Sequence, residues 1–344
     1  MNRLRNIFWA GRRRWLTLTA AMLMFVGGGT LVYLGEQHTF DLQSESFTFE
    51  SGGNELTATL HLPTGDGPHG VVVFVPGDGP ADDDPGILPV WESLADAGYA
   101  TVEWNKPGVG GSTGNWLDQN MDNRAAEVAD VVEALAERDD INTNDLGVLG
   151  VSQGGWVIPL VADRIDVDFF VAWSTAIDWK EQGAYLTERQ LANANAHPEL
   201  TAQVLTADQE DRGDTYQDYL DWYALLDADV AEFFSEASEE RWKFTERNSD
   251  LDARETLPAM QDTPVLLLLG GQDDNVDVND TERVYREILG GPCLDVIRYP
   301  DAEHNLIDHD GIALILTGIF EPRSIFADGM LDDIENFAAR SHDC

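Results

Sequence analysis

Residues 146–162 read Leu-Gly-Val-Leu-Gly-Val-Ser-Gln-Gly-Gly-Trp-Val-Ile-Pro-Leu-Val-Ala, and they give the strongest structural signal in the sequence. Its first part, Leu146–Gly150, is a short apolar run of the kind that forms a buried strand, and Ser152–Ala162 predicts a helix. Between them the sequence fits the pattern Gly-x-Ser-x-Gly. A serine on a sharp turn from strand to helix is a nucleophile elbow, so Ser152 is the predicted nucleophile.

The same pattern occurs a second time, at Gly110-Gly111-Ser112-Thr113-Gly114. No apolar strand directly precedes this copy, and the polar segment Asn115–Asp118 follows it. Ser112 is therefore predicted to be a loop serine, because a nucleophile elbow needs a strand before it and a helix after it.

Short apolar runs and helix-length amphipathic stretches alternate on both sides of the elbow. The predicted strands are Val71–Val75, Tyr99–Trp104, Leu146–Gly150, Phe169–Trp173, Val265–Leu269 and Leu294–Tyr299. The predicted helices are Pro89–Ala97, Asn123–Arg138, Ser152–Ala162 and Asn279–Leu289. Before them, Glu45–Glu50 and Glu55–Leu62 alternate apolar and polar residues, which predicts a β-hairpin. The whole pattern predicts an α/β fold with a mostly parallel, doubly wound sheet.

Residues 179–256 interrupt this alternation, because they contain no convincing strand. An apolar stripe at helical spacing runs through Tyr216, Tyr219, Leu220, Trp222, Tyr223 and Leu226. We expect a helical insertion that packs on the core and forms a lid over a substrate pocket. The predicted organisation is an N-terminal segment at 1–36, the first part of the core at 37–178, the lid at 179–256 and the second part of the core at 257–344.

A serine nucleophile needs a base, and the base needs an acid that orients it. After this kind of elbow, the acid and then the histidine follow on loops after later strands. Asp273 follows the strand Val265–Leu269 and His304 follows Leu294–Tyr299, so these two residues are the predicted acid and base. Alternatives in the same segments are Asp274 and Asp277 for the acid and His309 for the base. A metal site in the Asp-rich loop is disfavoured because no His or Cys lies nearby.

The tetrahedral intermediate of such a reaction needs two backbone N–H donors, the oxyanion hole. One donor is predicted at Gln153, directly after the nucleophile. The other is predicted at Asp78, in the sharp turn Pro76–Pro80 that follows the strand Val71–Val75. The Asp78 side chain is expected to point away from the developing anion, and a purely structural turn is the alternative.

Together these features resemble the bacterial EstD-like esterases, near the prolyl-oligopeptidase-like serine hydrolases of the α/β-hydrolase superfamily. The resemblance covers nearly everything after residue 45, and its matching segments are Leu60–Pro63, Gly77–Asp84, Asn105–Ser112, the elbow, the acid loop and the final His304. It implies an α/β-hydrolase fold, hydrolysis of carboxylic esters and a helical insertion after the sixth strand.

Three positions depart from the pattern of these esterases. Asp78 replaces a serine beside the oxyanion donor, and Asp83 and Pro107 each replace an arginine. The three departures leave the predicted catalytic residues unchanged. Two lost arginines in loops near the site can change loop order or acyl-chain preference, so the family's substrate is less secure than its reaction class.

The N-terminus has the composition of a membrane segment. An uncharged run from Trp15 to Gly35 follows five basic residues, namely Arg3, Arg5, Arg12, Arg13 and Arg14. As a helix, this run would span about 30 Å, one hydrocarbon thickness. The basic flank predicts an uncleaved signal-anchor with one pass through the cell membrane and the catalytic part outside the cytoplasm. A cleaved export signal and, less so, a buried core helix are the alternatives.

The charge of the chain is its most unusual property. Among 344 residues, 21 are Lys or Arg and 63 are Asp or Glu, which gives a net charge of −42. Phosphate backbones would repel such a chain, which excludes nucleic-acid binding. Without residues 1–35, which hold five arginines and no acid, the net charge is −47. Acid spread this evenly, with three lysines in all, resembles the surfaces of proteins from salt-loving organisms, where salt screens repulsion.

Two cysteines, Cys293 and Cys344, are too few for a disulfide framework or a multi-cysteine zinc site. A disulfide between them and two free thiols are both compatible with the sequence.

The sequence therefore predicts a serine hydrolase that cleaves small-molecule carboxylic esters through an acyl-enzyme intermediate, without a cofactor or a metal ion. A serine aminopeptidase, an acyl-peptidase or an acyltransferase would use the same residues. A surface-tethered binding domain on a hydrolase scaffold is the non-enzymatic alternative.

Overall fold

The computed structural model describes residues 33–80, 85–210 and 212–340. Contacts divide the chain into two compact units. The larger unit is Asp41–Asp308 with Phe326–Cys344, and the smaller unit is Met1–Phe40 with His309–Ile325. Residues 309–325, inside the predicted second part of the core at 257–344, thus belong to the smaller unit.

The larger unit is built on one eight-stranded sheet with the order β1-β2-β4-β3-β5-β6-β7-β8. Its strands are β1 (Leu42–Ser51), β2 (Asn54–Pro63), β3 (His69–Val75), β4 (Tyr99–Trp104), β5 (Ile141–Val151), β6 (Phe169–Trp173), β7 (Val265–Gly270) and β8 (Leu294–Tyr299). The hairpin β1–β2 and the pair β2–β4 are antiparallel, and all other pairs are parallel. The predicted α/β-hydrolase fold with its N-terminal hairpin is confirmed.

Helices connect the strands of the larger unit. They are α1 (Leu88–Asp96), α2 (Met121–Leu135), α3 (Ile158–Ala162), α4 (Trp179–Asn193), α5 (Pro198–Asp208), α6 (Tyr216–Tyr223), α7 (Ala228–Phe234), α8 (Glu239–Asn248), α9 (Ala253–Thr256), α10 (Val278–Leu289) and, after the smaller unit's α11 (Gly311–Phe320), α12 (Met330–Ala338). Short 3-10 turns occupy Pro85–Ile87, Trp116–Asp118, Ser152–Trp156, Leu257–Met260 and Pro322–Ser324. The predicted helix Ser152–Ala162 is thus a 3-10 turn followed by α3.

The strands β6 and β7 in the middle of the parallel part are buried at every residue. Helices cover both faces of a parallel sheet of this kind, which is why these strands are continuous apolar runs rather than alternating ones. Because β5, β7 and β8 run parallel, the loops after their carboxyl ends meet at one edge of the sheet. The predicted nucleophile, acid and base all lie in those loops.

The insertion at 179–256 consists of α4 to α9, and its described residues contain no strand. It has an apolar cluster of its own, formed by Leu191, Val204, Ala207, Tyr219, Trp222 and Val230. The aromatic stripe seen in the sequence belongs to this cluster: Tyr219 and Trp222 are buried, and its other members are partly buried against them. The stripe therefore stabilises the insertion itself.

Two further predictions concern the ends of the chain. None of the helices in the described ranges is both long enough and apolar enough to span a membrane. Most of the predicted signal-anchor, residues 1–32, lies outside the described residues. Cys293 is disulfide-bonded, and Cys344, the other cysteine of the chain, lies outside the described residues as well.

Candidate active site

Ser152 is the first residue after β5, and its φ angle is +52°. A left-handed backbone is costly for a residue with a side chain, so the surroundings must hold it in place. They do so through close backbone packing: a Cβ atom on Gly154 would lie 2.5 Å from the Val75 carbonyl oxygen, and one on Gly155 would lie 2.3 Å from Thr175 Cβ. Only glycine fits at these two positions, which explains the Gly-x-Ser-x-Gly-Gly pattern.

The structure brings the three predicted catalytic side chains into one hydrogen-bonded chain. His304 Nε2 is 3.0 Å from Ser152 Oγ, and His304 Nδ1 is 2.8 Å from Asp273 Oδ2. The Asp273 side chain is fully buried, and its Oδ1 accepts hydrogen bonds from the backbone N–H groups of Asn275 and Val276. A carboxylate held in this way orients the imidazole, so that His304 can accept the Ser152 proton.

The alternative acids and base have other surroundings. Asp274 accepts hydrogen bonds from Arg189 on α4. Asp277 caps the N-terminus of α10. His309 belongs to the smaller unit. The choice of Asp273 and His304 therefore agrees with the observed hydrogen bonds.

Ser112 lies in a loop, as predicted for the second copy of the motif. Its buried hydroxyl accepts a hydrogen bond from the Thr57 N–H at 2.9 Å and donates one to the Asn105 carbonyl oxygen at 2.7 Å. This serine joins the loop to β2 and has the environment of a structural residue.

The turn Pro76–Pro80 passes directly beside the nucleophile, and we call it the oxyanion loop. A Cβ atom on Gly77 would lie 3.2 Å from Ser152 Cβ, so the backbone of the loop packs against the serine. The side chains of the two predicted oxyanion residues meet here, because Gln153 Nε2 donates to Asp78 Oδ1 at 3.2 Å. The two residues that carry the predicted N–H donors are thus in contact with each other, and both lie next in sequence to a residue that touches or is Ser152.

Asp78 is bound by an arginine of the insertion. Arg241, on α8, donates through Nη1 and Nη2 to the two carboxylate oxygens of Asp78, at 2.9 Å and 2.7 Å. Burial raises the pKa of Asp78, but the hydrogen bonds and the charge of Arg241 outweigh burial and hold the pKa below its ordinary value. Asp78 is therefore ionised at neutral pH, and Arg241 neutralises its charge.

Arg124 connects the oxyanion loop to the elbow. This buried residue of α2 donates to Gln153 Oε1 at 2.9 Å and also to the Pro76 carbonyl oxygen. Burial lowers the pKa of Arg124 to about 10, so the guanidinium is still charged at neutral pH. The amide of Gln153 is thus held at both of its atoms, because Oε1 accepts from Arg124 and Nε2 donates to Asp78.

Lys106, which follows β4, binds the backbone of the oxyanion loop. Its Nζ donates to the carbonyl oxygens of Gly77 at 2.5 Å and Gly79 at 2.8 Å. Burial lowers the pKa of this amine to about 6. Because both carbonyl groups that flank Asp78 are bound, the peptide planes of the loop are fixed, and with them the direction of its N–H groups.

Sequence reasoning did not identify Arg124, Lys106 or Arg241 as part of the site. Arg124 did leave a signal, since it lies at helical spacing among the apolar residues of α2 in a chain with few basic residues. Arg241 left none, because its partner is 163 residues away. Of the two lost arginines, the Asp83 position lies outside the described residues.

The insertion also contacts the acid loop. The Tyr185 hydroxyl, on α4, donates to the Asp273 carbonyl oxygen at 3.0 Å, and Gln182 donates to the Asn275 carbonyl oxygen at 3.0 Å. A cavity of about 330 Å³ lies between α4 and α10 behind this loop. Ser152 and His304 do not line the cavity, which makes it a poor candidate for the place of the reacting bond.

Comparisons with known proteins give the family of the chain. Residues 52–297, more than half of the chain, match the X-Pro dipeptidyl-peptidase family (S15 family). No match was found among the curated proteins.

Several solved structures are similar over most of the chain. The Pyrococcus furiosus esterase Pf2001 is 16% identical, with 87% of this chain and 91% of that chain covered and a TM-score of 0.56. Est1E from Butyrivibrio proteoclasticus with bound ferulic acid is 16% identical, with 85% and 96% covered and a TM-score of 0.53. A 2,6-dihydroxy-pseudo-oxynicotine hydrolase is 18% identical, with 86% and 68% covered and a TM-score of 0.53. At these identities the likeness shows the fold alone.

Proposed function

The chain belongs to the X-Pro dipeptidyl-peptidase family (S15 family), serine hydrolases of the α/β-hydrolase type, and from that premise we propose that it hydrolyses small-molecule carboxylic esters at Ser152. One observation carries the proposal: the continuous hydrogen-bonded chain from Ser152 through His304 to Asp273, with the serine held on a left-handed turn. Such a chain is the machinery of acyl transfer through a serine nucleophile.

In the first half of the reaction, Ser152 Oγ attacks the ester carbonyl carbon while His304 Nε2 takes the hydroxyl proton. Asp273 holds the imidazole in the tautomer that accepts this proton and stabilises the imidazolium that forms. The carbonyl oxygen becomes an anion facing the N–H groups of Gln153 and Asp78. Collapse of the intermediate breaks the ester C–O bond, and the imidazolium gives its proton to the leaving alcohol.

In the second half, water attacks the acyl-enzyme. His304 takes a proton from the water as the oxygen joins the acyl carbon, and the oxyanion forms a second time. When the bond to Ser152 Oγ breaks, His304 returns the proton to the serine, and the carboxylic acid leaves. The enzyme is then in its starting state.

Hydrolysis of peptide bonds is the second candidate function, and the family match favours it, because the family is described as an X-Pro dipeptidyl-peptidase. The same three residues can cleave an amide if the leaving amine is protonated. Comparing p-nitrophenyl esters of increasing chain length with an Xaa-Pro p-nitroanilide separates the two candidates. Faster cleavage of the amide would favour the peptidase.

The role of Ser152 is tested by Ser152→Ala with Ser112→Ala as the matched control. We expect Ser152→Ala to lower kcat on a p-nitrophenyl ester by about 10⁶-fold and to abolish labelling by a fluorophosphonate probe. Ser112→Ala is expected to be labelled like the wild type. Full activity in Ser152→Ala, or labelling that depends on Ser112, would show that the nucleophile is wrongly assigned.

We also propose that residues 15–35 anchor the protein in the cell membrane, with the catalytic residues outside the cytoplasm. The uncharged run and the arginines before it support this orientation. Protease treatment of intact cells tests it, since an exported catalytic part is cleaved there and a cytoplasmic one is protected.

A further inference from the structure

Helix α11 in the smaller unit has an unusual surface. Its ten residues, Gly311–Phe320, include no charged residue, whereas 24% of the whole chain is charged. None of them is buried, and five large apolar side chains are 41% to 75% exposed: Ile312, Ile315, Leu316, Ile319 and Phe320. In the rest of the described chain, only Tyr33 and Leu225 are large apolar residues with comparable exposure. An apolar patch of this kind indicates a binding partner.

The length of α11 limits the kinds of partner that its apolar surface can bind. Ten helical residues span about 15 Å, half the thickness of a hydrocarbon layer, so the helix cannot cross a membrane. An apolar segment of this length is usually either a buried core helix or a segment at a membrane interface. Its exposure excludes the first, which leaves the interface.

The smaller unit places α11 beside the exit of the predicted anchor. His38 Nε2 donates to the Ile319 carbonyl oxygen at 2.9 Å. Arg323 donates to the carbonyl oxygens of Gln37 at 2.8 Å and Thr39 at 3.0 Å. The uncharged run ends at Gly35. The residues that bind the C-terminal end of α11 and the turn after it therefore lie two to four positions beyond the run. A bilayer that holds the run therefore also lies within reach of α11.

We propose that α11 is a membrane-contacting helix whose apolar side chains enter the boundary between headgroups and hydrocarbon of a phospholipid bilayer. The proposal rests on the anchor at residues 15–35 and is independent of the esterase activity. Because the chain has a net charge of −42, zwitterionic lipids fit it better than anionic ones, which would repel it.

Photocrosslinking to lipid tests the proposal. The full chain is reconstituted into phosphatidylcholine vesicles that contain a phosphatidylcholine with a photoactivatable acyl chain, illuminated and digested. Trypsin releases α11 in the peptide 299–323, which has no internal Lys or Arg. Trypsin also cuts after Arg14, so residues 15–35 lie in a different peptide, which begins at Trp15. We expect lipid adducts within residues 311–320 in addition to those within 15–35.

Two variants make the result specific. The double variant Ile312→Gln with Ile315→Gln is expected to lose the adducts in 311–320 and to keep those in 15–35. Leu225→Gln, which changes a side chain of 87% exposure on the insertion, is the matched control and is expected to keep both. Activity on a soluble ester in detergent shows that each variant is folded.

The outcomes are distinct. Wild-type adducts confined to residues 15–35 would overturn the proposal while leaving the anchor intact. Crosslinks of 311–320 to residues 15–35 or to a second copy of α11, instead of to lipid, would overturn it as well. The absence of adducts in both segments would overturn the anchor and the proposal together, and activity on the soluble ester would still test the proposed function separately.

Discussion

Replacing Arg241 with glutamine tests whether the insertion controls the charge of the oxyanion loop. In the wild type, Arg241 binds both carboxylate oxygens of Asp78 and lies over the rings of Phe244 at 5.2 Å and Trp116 at 5.8 Å. Glutamine keeps a polar group at this position but has no charge. The ionised carboxylate of Asp78 would then stand without a neutralising partner next to a predicted oxyanion donor.

The magnitude follows from the exposure of the pair. The Arg241 and Asp78 side chains are 37% and 45% exposed, so solvent weakens their attraction to that of a surface ion pair, about 1 kcal/mol at most. The ion pair and the contacts with the two aromatic rings are also made in the free enzyme, so their loss lowers stability and does not by itself slow the reaction. What slows the reaction is the repulsion between the unneutralised Asp78 carboxylate and the oxyanion, which we place at about 1.4 kcal/mol, between about 1 kcal/mol for exposed charges and about 4 kcal/mol at an effective dielectric constant of 20. A loss of about 1.4 kcal/mol in transition-state stabilisation corresponds to roughly a tenfold decrease in kcat/KM.

The assay is kcat/KM on a p-nitrophenyl ester, measured at the lowest NaCl concentration that keeps the protein folded and again at about 2 M. Arg247→Gln is the matched control, because Arg247 lies on the same helix but donates to the Leu117 carbonyl oxygen. We expect a roughly tenfold loss for Arg241→Gln at low salt, a smaller loss at high salt, and little change for the control, since molar salt shortens the screening length to about 3 Å.

A double-mutant cycle with Asp78→Asn completes the test. If Arg241 acts through Asp78, the two substitutions are expected to be coupled, so that their effects are not additive. Unchanged kcat/KM in Arg241→Gln at low salt, an equal loss in Arg247→Gln, or additive effects in the cycle would each refute this account of the loop.

Three further predictions concern stability. Burial lowers the pKa of Lys106 to about 6, so between that pH and 10.5 the unfolded chain binds more protons and stability rises with pH. Lys106→Met is expected to remove this pH dependence of the free energy of unfolding, which amounts to at most about 1.4 kcal/mol per pH unit. Urea unfolding of both proteins from pH 6 to pH 9 measures it, and the same pH dependence in the variant and the wild type would contradict the prediction. A disulfide of Cys293 with Cys344, the other cysteine of the sequence, would close a long loop, so Cys293→Ser is expected to lower the free energy of unfolding by about 4 kcal/mol; two free thiols in the unreduced, unfolded wild type would exclude this. With a net charge of −47 after residue 35, Tm is expected to rise from low to molar NaCl, and a Tm that is highest without salt would disprove the halophilic interpretation.

The elements nearest the catalytic loops were the easiest to predict from the sequence. The strands β4, β6 and β8 begin and end at the predicted residues, because each is a short run rich in apolar and aromatic residues that stops at a polar residue or a proline. The loops that follow β5, β7 and β8 then place Ser152, Asp273 and His304 at one sheet edge by topology alone. Local pattern and connectivity suffice for these features.

Other features depend on contacts between distant parts of the chain. The pairing of Arg241 with Asp78 needs the path of the insertion, which no local pattern specifies. The binding of Lys106 to two loop carbonyl groups likewise depends on how β3 and β4 lie side by side. Helix α11 was overlooked because apolar residues near the end of a chain are readily taken for core, and only their exposure shows otherwise.

Arg124 acts as an internal counterion at the oxyanion loop of a strongly acidic protein. A surface that carries so much negative charge creates a potential that opposes any anion formed in the reaction. Arg124 is buried, so dissolved ions screen it only weakly, and it keeps a fixed positive charge next to Gln153 whatever the medium. The charge that Arg124 places beside Gln153 is therefore expected to change little with the salt concentration of the medium.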